Sequence, residues 1–288
     1  MAVSSEIISS RSNQRVKQLR AAFTANPRLS EGLIAIEGEH LLEEALRSGI
    51  VPQTLYLTPQ RPLPAGIPSC VDIIRLSDDV FRSAVETQSP QGIAALIQPP
   101  LQSIDDLFQN NAPLLLIAAG LQDPGNLGTL VRSAEAFGAS GIITTPGTVS
   151  PWNQKAIRSS VGSVFRLPVI ACDEDEIAAL PRRGIRLFAA VGAQDAGVLP
   201  AQDSDMRPAS AIMIGNEGSG LSETWLRMAT ARITIPCPGP VESLNAAIAG
   251  SLLLYEASRQ RSLSIHTTVK KTQRIPNPQQ RRPTGATR

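Results

Sequence analysis

Apolar residues in this chain fall into two alternating rhythms. Short apolar runs bounded by Gly, Pro, Asn or Asp read as strands, and segments with apolar positions three and four apart read as helices. Val16, Leu19, Ala22 and Phe23 keep helical spacing until Pro27, which predicts a helix over 13–26. Runs at 33–37, 54–57, 73–76 and 92–97 predict strands, with helices over 40–48 and from Ser77 onward. Residues 1–10 carry no clear rhythm and are expected to fray. Pro99 and Pro100 mark a linker, and 104–108 reads as a short helix. From Leu114 the alternation restarts, with strands at 114–119, 141–144, 167–169, 185–191, 211–214 and 232–235. Helices are expected over 127–137, 151–158, 174–180, 221–229 and 243–259. The last of these is apolar on nearly every face between Ala246 and Tyr255, which predicts a buried helix. The segment 195–209 reads as a loop that covers the site.

Three of the strand-to-helix turns share one layout: an apolar strand, a turn rich in Gly, Asn or Pro, then a helix. They lie at 120–126, 215–220 and 236–245. Ligands of open α/β sheets gather at the carboxyl ends of strands, so all three turns are expected along one sheet edge. The third is punctuated by Pro236, Pro238, Gly239 and Pro240, and Ser243 and Asn245 are the candidate caps of the helix after it, Ser243 the more obvious. Such a turn presents backbone N–H and C=O groups that neither strand nor helix consumes, which suits a polar ligand. Two phosphate cradles are excluded. Gly215-Asn-Glu-Gly-Ser-Gly220 reverses the dinucleotide-binding spacing, and Leu221, ahead of Ser222, stands where a P-loop needs its Lys. Gly138 to Gly141 reads as a helix C-cap and turn.

Taken together, Asn126 with Arg132 and Ala134, then Gly215 to Gly218 with Gly220 and Leu221, then Ile235 and Pro236 with Ser243, Leu244 and Asn245, resemble the three motifs of the SpoU (TrmH-like) RNA ribose methyltransferases. The resemblance covers about 114–261 and is specific because order, separation and local structure agree at all three motifs. More weakly, Ser12 to Lys17, Ile36 to His40 and Glu43 to Ala45 resemble the family's substrate-binding extension.

The resemblance implies transfer of a methyl group from S-adenosylmethionine to a ribose 2′-hydroxyl of RNA. It implies a carboxy-terminal trefoil-knotted α/β methyltransferase domain with a parallel sheet, in which 211–261 threads under an earlier loop, preceded by a smaller α/β RNA-binding domain. The cofactor is expected on Val191, Gly192, Ile214, Gly215, Asn216, Gly218, Ile235, Pro236, Leu244 and Asn245. Arg132, Asn126, Glu217, Ser243 and Asn245 are the expected catalytic group. A guanidinium is a poor base, so Arg132 is read as clamping a phosphate and stabilising a developing alkoxide. Glu217 is read either as orienting Arg132 or the RNA, or as an ion pair across a dimer. Lys155 and Arg158 are candidate phosphate contacts and His40 a structural residue. Family members are homodimers. Ribosomal RNA is the expected substrate, with transfer RNA as the alternative; from another class stands a catalytically silent RNA-binding factor of ribosome assembly.

Charge sharpens the RNA reading only through its placement. The net charge is just +2, but no acid follows Glu256, whereas lysines and arginines run from Arg259 to Arg288. Arg11, Arg15, Lys17 and Arg20 make the opposite end basic as well. With the linker at Pro99 and Pro100, the resemblance implies residues 1–100 as the RNA-binding domain and 112–262 as the methyltransferase domain, and composition adds 263–288 as a basic disordered tail. Cys70, Cys172 and Cys237 are far apart and only His40 and His266 add imidazoles, so neither a metal site nor a disulfide framework is expected. With no apolar run long enough for a bilayer and no leader pattern, the expected setting is the cytoplasm, away from membranes.

Overall fold

The computed structural model describes residues 3–24, 32–195, 197–240 and 243–272. They form two sheets. The first holds β1 (Val3–Ile8), β2 (Ile34–Glu37), β3 (Thr54–Leu57), β4 (Asp72–Leu76) and β5 (Ile93–Ile97). Its order is β1-β4-β3-β5-β2, parallel among the first three and antiparallel at β5. The expected fraying of residues 1–10 is corrected here, because Ile7 and Ile8 pair with Arg75 and Leu76. A six-residue strand at a chain end shows little rhythm of its own; the partner strand specifies it.

Period-two alternation in these strands divides the packing. Ala35, Tyr56, Ile74 and Leu96 face α1 (Gln14–Phe23) and α3 (Asp78–Ala84), which bury Val16, Leu19, Phe23, Val80 and Phe81 there. Ile34, Ile36, Leu55, Ile73 and Ile93 face the other way, toward α2 (Glu39–Arg47) and onward into the core of the second sheet. One apolar core therefore runs through both sheets. Each wholly buried Leu or Ile in it contributes roughly 1.5–3 kcal/mol.

A 3₁₀ turn, Ile104–Phe108, closed by a Ser103–Asp106 capping box, follows the proline pair. The second sheet comprises β6 (Leu114–Ala118), β7 (Gly141–Thr144), β8 (Val169–Ala171), β9 (Arg186–Ala190), β10 (Leu199–Pro200), β11 (Ser210–Ile214) and β12 (Ala231–Thr234). All pairings are parallel, in the order β10-β12-β9-β11-β6-β7-β8. Parallel strands covered on both faces read as continuous apolar runs, as Leu114–Ala118 and Ser210–Ile214 largely do. Leu114, Leu116, Ile212 and Ile214 meet α4 (Pro124–Ala136), α5 (Gln154–Ser160) and α8 (Ala246–Thr272). Leu115, Ile117, Ala211 and Met213 share the opposite core with Ile177 of α6 (Glu174–Ala178) and Trp225 of α7 (Glu223–Met228).

Close helix contacts depend on two glycines. A Cβ on Gly128 would lie 2.4 Å from the Ala156 carbonyl, so α4 and α5 touch backbone to backbone. A Cβ on Gly250 would lie 2.4 Å from Leu130, which lets α8 sink onto α4 and the sheet.

Two expectations about the last helix change. Ala247, Gly250, Leu253, Leu254 and Ala257 are buried, but Ile248, Leu252 and Tyr255 are about half exposed at 53%, 43% and 52%. The helix is apolar all round, yet the rest of the described chain covers only one face. Its backbone also continues to Thr272, into the stretch read as a disordered tail, while 273–288 lie outside the described residues. The segment 195–209 is anchored beside the edge strand: β10 joins the sheet at β12, Gln260 bonds Met206 N and Ser204 O, and Arg261 bonds the carbonyls of Met206 and Pro208. Its later part, 204–208, is thus a strut for α8.

Candidate active site

Strand order brings the three motif turns together. β12, β9, β11 and β6 are consecutive in the sheet, so the turns after them open side by side at its carboxyl edge. The β6–β11 pairing runs through Ala118 and Ile214 and is extended by a bond from Ala119 N to Ile214 O at 2.8 Å.

The turn after β11 folds back on itself. A Cβ on Gly215 would lie 2.2 Å from the Gly220 carbonyl carbon, so no other residue fits. Asn216 and Gly220 exchange backbone hydrogen bonds of 3.1 and 2.9 Å. The Asn216 amide donates to Gly120 O at 2.8 Å, and its oxygen accepts from Gly218 N at 2.8 Å. Asn216, expected among the cofactor contacts, is thus engaged inside the protein and holds its glycine neighbours in place. Its receptor Gly120 was not anticipated; it has φ +67° and donates its N–H to the Thr145 and Thr148 hydroxyls. A glycine just past a strand end was the available signal.

Helix α4 starts at Pro124, earlier than the apolar spacing indicates, because Asp123 caps Asn126 N at 2.9 Å and proline is at ease in the first turn. Lys155 pairs with Asp123 at 2.8 Å. That bond, followed by the one from Asn126 N, lowers the Asp123 carboxyl below its ordinary range. Asn126 then connects the three motifs. Its Nδ2 donates to Glu217 Oε1 at 2.9 Å, and its Oδ1 accepts from Asn245 Nδ2 at 3.1 Å. Glu217 also accepts from the backbone N–H of Gln122 and Asp123, both at 3.3 Å. Partial burial pushes the Glu217 carboxyl up, but the Asn126 bond and the backbone donors outweigh it and leave the net shift downward.

Asn245, not Ser243, caps the last helix: its Oδ1 accepts from Ala247 N at 2.9 Å and Ile248 N at 3.2 Å. The expected start at Ser243 is corrected to Ala246, because only Asn245 also reaches Asn126. Ser243 is exposed, and among the described residues its hydroxyl makes no hydrogen bond. Arg132 lies further along α4, exposed and without a hydrogen bond or ion pair among the described residues. Glu217 does not hold it, and Arg158 on α5 is likewise exposed and unpaired among the described residues.

The loops after β9, β11 and β12 suit an adenosyl group. Gly192 has open space where a Cβ would be, and Ile235 and Leu244 are half-buried apolar side chains. Backbone groups of 236–240 take no part in backbone pairing among the described residues. A separate cleft of about 800 Å³ opens on the β6–β8 side of the same turns, between Gly120, Thr145, Asp173, Asn216 and Trp225. Among the described residues no His, Cys, Asp or Glu cluster could hold a metal ion, and no described helix is long and apolar enough to cross a membrane.

The sequence profile of the SpoU rRNA methylase family matches residues 113–255, and that of the MRM3-like substrate-binding domain matches 13–95. A 23S rRNA (guanosine-2′-O)-methyltransferase of Bacillus subtilis is 34% identical over 86% of this chain and 97% of its own length. The chain belongs to the SpoU rRNA methylase family. The SpoU methyltransferase AviRb of Streptomyces viridochromogenes, solved in complex with S-adenosylmethionine, superposes with a TM-score of 0.77 at 28% identity, covering 87% of this chain and 98% of its own. A solved RNA 2′-O-ribose methyltransferase gives 0.76 at 31% identity over 89% of this chain and all of its own. This SpoU protein is an enzyme, an S-adenosylmethionine-dependent RNA 2′-O-ribose methyltransferase.

Proposed function

We propose that the site methylates a ribose of large-subunit ribosomal RNA, with Arg132 as the residue that meets the reacting strand. The observation that carries this is the contrast around α4: Asn126, Glu217 and Asn245 are bonded to one another, whereas Arg132 is exposed and uncommitted. Relatives of Bacillus subtilis and Streptomyces viridochromogenes named as 23S rRNA 2′-O-methyltransferases, 34% and 29% identical, support this choice of RNA. Transfer RNA remains the competing substrate.

The loops at Val191, Gly192, Ile214, Gly215, Gly218, Ile235, Pro236 and Leu244 would hold the cofactor, with Asn216 and Asn245 bracing them. When bound, S-adenosylmethionine supplies a methyl group on a positive sulfur. Its chemistry there would be transfer of that methyl to the ribose 2′-oxygen, which would leave the sulfur neutral. Arg132 would clamp a phosphate through its guanidinium fork and stabilise negative charge growing on the 2′-oxygen. The hydroxyl proton leaves to a phosphate oxygen or to water. Ser243 offers an unspent hydroxyl at the mouth of α8 for the ribose or cofactor.

The same reading includes a homodimer in the cytoplasm. Ile248, Leu252 and Tyr255 form an exposed apolar stripe that starts beside Asn245, and a second copy is the occupant that would bring two sites together. The odd number and wide separation of Cys70, Cys172 and Cys237 suit a reducing compartment. It also includes the knotted threading of 211–261, supported by the β12-β9-β11-β6 order and by α8 returning onto α4 and β11. Finally, it includes the division into an RNA-binding domain to residue 100, a methyltransferase domain over 112–262 and a basic tail. The test is transfer of labelled methyl groups to 23S and transfer RNA by wild type and Arg132→Ala. Alkali-resistant dinucleotides from 23S RNA alone, lost in the variant, are expected; cofactor binding without transfer to either RNA would point to a pre-assembled particle as substrate, and no cofactor binding to the silent assembly factor.

A further inference from the structure

Arg166 joins the two sheets through one guanidinium. Its Nε and Nη2 grip both carboxylate oxygens of Glu135 on α4 at 2.5 and 3.0 Å. Its Nη1 reaches Glu44 Oε2 at 2.7 Å and Ser48 Oγ at 3.3 Å, at the end of α2 in the amino-terminal sheet. Glu44 is nearly buried, and Arg47 also holds it at 2.9 Å. Glu135 follows Arg132 by three residues, so the contact ends on the helix that carries the catalytic arginine.

The surrounding backbone is shaped for this approach. Val161 adopts φ +52°, a left-handed conformation that is strained for a β-branched residue. Gly162 follows at φ +84°, where a Cβ would lie 2.6 Å from Glu44 Cβ. Any side chain there would push α2 away. Beside it, the buried Gln154 amide donates to Ala35 O at 2.8 Å, a second polar tie between α5 and the first sheet. The ion pairs hold Glu135 below its ordinary range, where burial alone would raise it, and raise Arg166, chiefly through Glu135. Strain and close packing concentrated at one joint fix a spacing more than a general core would require.

We infer that Arg166 is a positioning residue that sets the distance between the amino-terminal RNA-binding sheet and the Arg132 helix, and thereby selects RNA long enough to touch both. The inference rests on the reading of the first sheet as an RNA-binding module. An RNA gripped at two rigidly spaced sites gains effective concentration at the second, and a loosened joint spends that gain. Replacing the shared cation leaves Glu44 and Glu135 facing each other without it, which opens the joint.

The test compares Arg166→Met and Arg166→Lys with wild type on transcribed 23S rRNA and on a stem-loop cut from it around the methylated nucleotide. Arg166→Met is expected to raise KM for the long RNA by about tenfold or more, with kcat and the stem-loop KM within about twofold. Arg166→Lys restores part of the loss, since one ammonium cannot grip both carboxylates as a fork does. Melting curves report folding; should Arg166→Met unfold, Glu44→Gln, which weakens the Arg166 contact to α2 along with the local Arg47 pair and leaves the Glu135 grip intact, must give the same split. Equal losses on both RNAs, or no loss on either, would overturn the inference. Wild type inactive on both would instead bring down the proposed function on which it stands.

Discussion

Asn126 and Arg132 share helix α4 and are treated in opposite ways. The Asn126 side chain donates to Glu217 and accepts from Asn245, so three segments distant in sequence lock at one amide. Arg132 is exposed and bonded to nothing among the described residues. Under the proposed function the first arrangement is organised before substrate arrives, and the second would meet substrate charge. A fixed frame beside an unpaired arginine suits transition-state stabilisation, since the frame need not reorganise as charge develops.

The largest effect expected from breaking this contrast is at Arg132. Arg132→Ala should lower methyl transfer by about 10²–10³-fold with an unchanged melting curve, and Arg132→Lys should keep the charge but recover only part of the rate. Initial rates with labelled cofactor read it; a fully active Lys variant would refute the clamp. Changes to the frame should instead show first in stability. Gly128→Ala forces a methyl against the Ala156 carbonyl and should cost about 1–3 kcal/mol in urea unfolding, whatever RNA is present.

Asn245→Ala removes both the α8 cap and the bond to Asn126. About 1 kcal/mol of stability is expected to go with the cap, and a rate loss larger than that of Ser243→Ala should accompany it. Calorimetry and initial rates on the same samples separate the two effects. The smallest effect is pH-linked. Glu217 has a folded pKa below its unfolded value, so its contribution is present above the unfolded pKa of about 4.3 and is lost as pH falls through the folded pKa. The stability advantage of wild type over Glu217→Gln should therefore be constant near neutrality and shrink in acid. An advantage that grew on acidification would contradict the assigned direction.

What could be read before the structure follows from the range of the forces involved. Periodicity and turn chemistry act within a few residues, so β3 at Thr54–Leu57 and β7 at Gly141–Thr144 match the runs that predict them. The Gly/Asn-rich turns announced themselves for the same reason; their common sheet edge was expected only from the general rule for open α/β sheets, and the strand order supplied it. Boundaries drifted where a cap overrode the apolar rhythm, as Asp123 and Pro124 did at the start of α4.

The sequence by itself thus determined the alternating α/β elements, the three motif turns and the residues that a family resemblance attaches to them. Only the tertiary structure decided which of those residues brace and which stay open. Asn126 meets Glu217 across 91 positions and Asn245 across 119, and Arg166 meets Glu44 across 122. It also chose Asn245 over Ser243 as the cap, gave β1 its partner in β4, and left one apolar face of α8 uncovered. Each of these depends on where the chain's path brings a distant donor, strand or surface, and local pattern carries no record of that path.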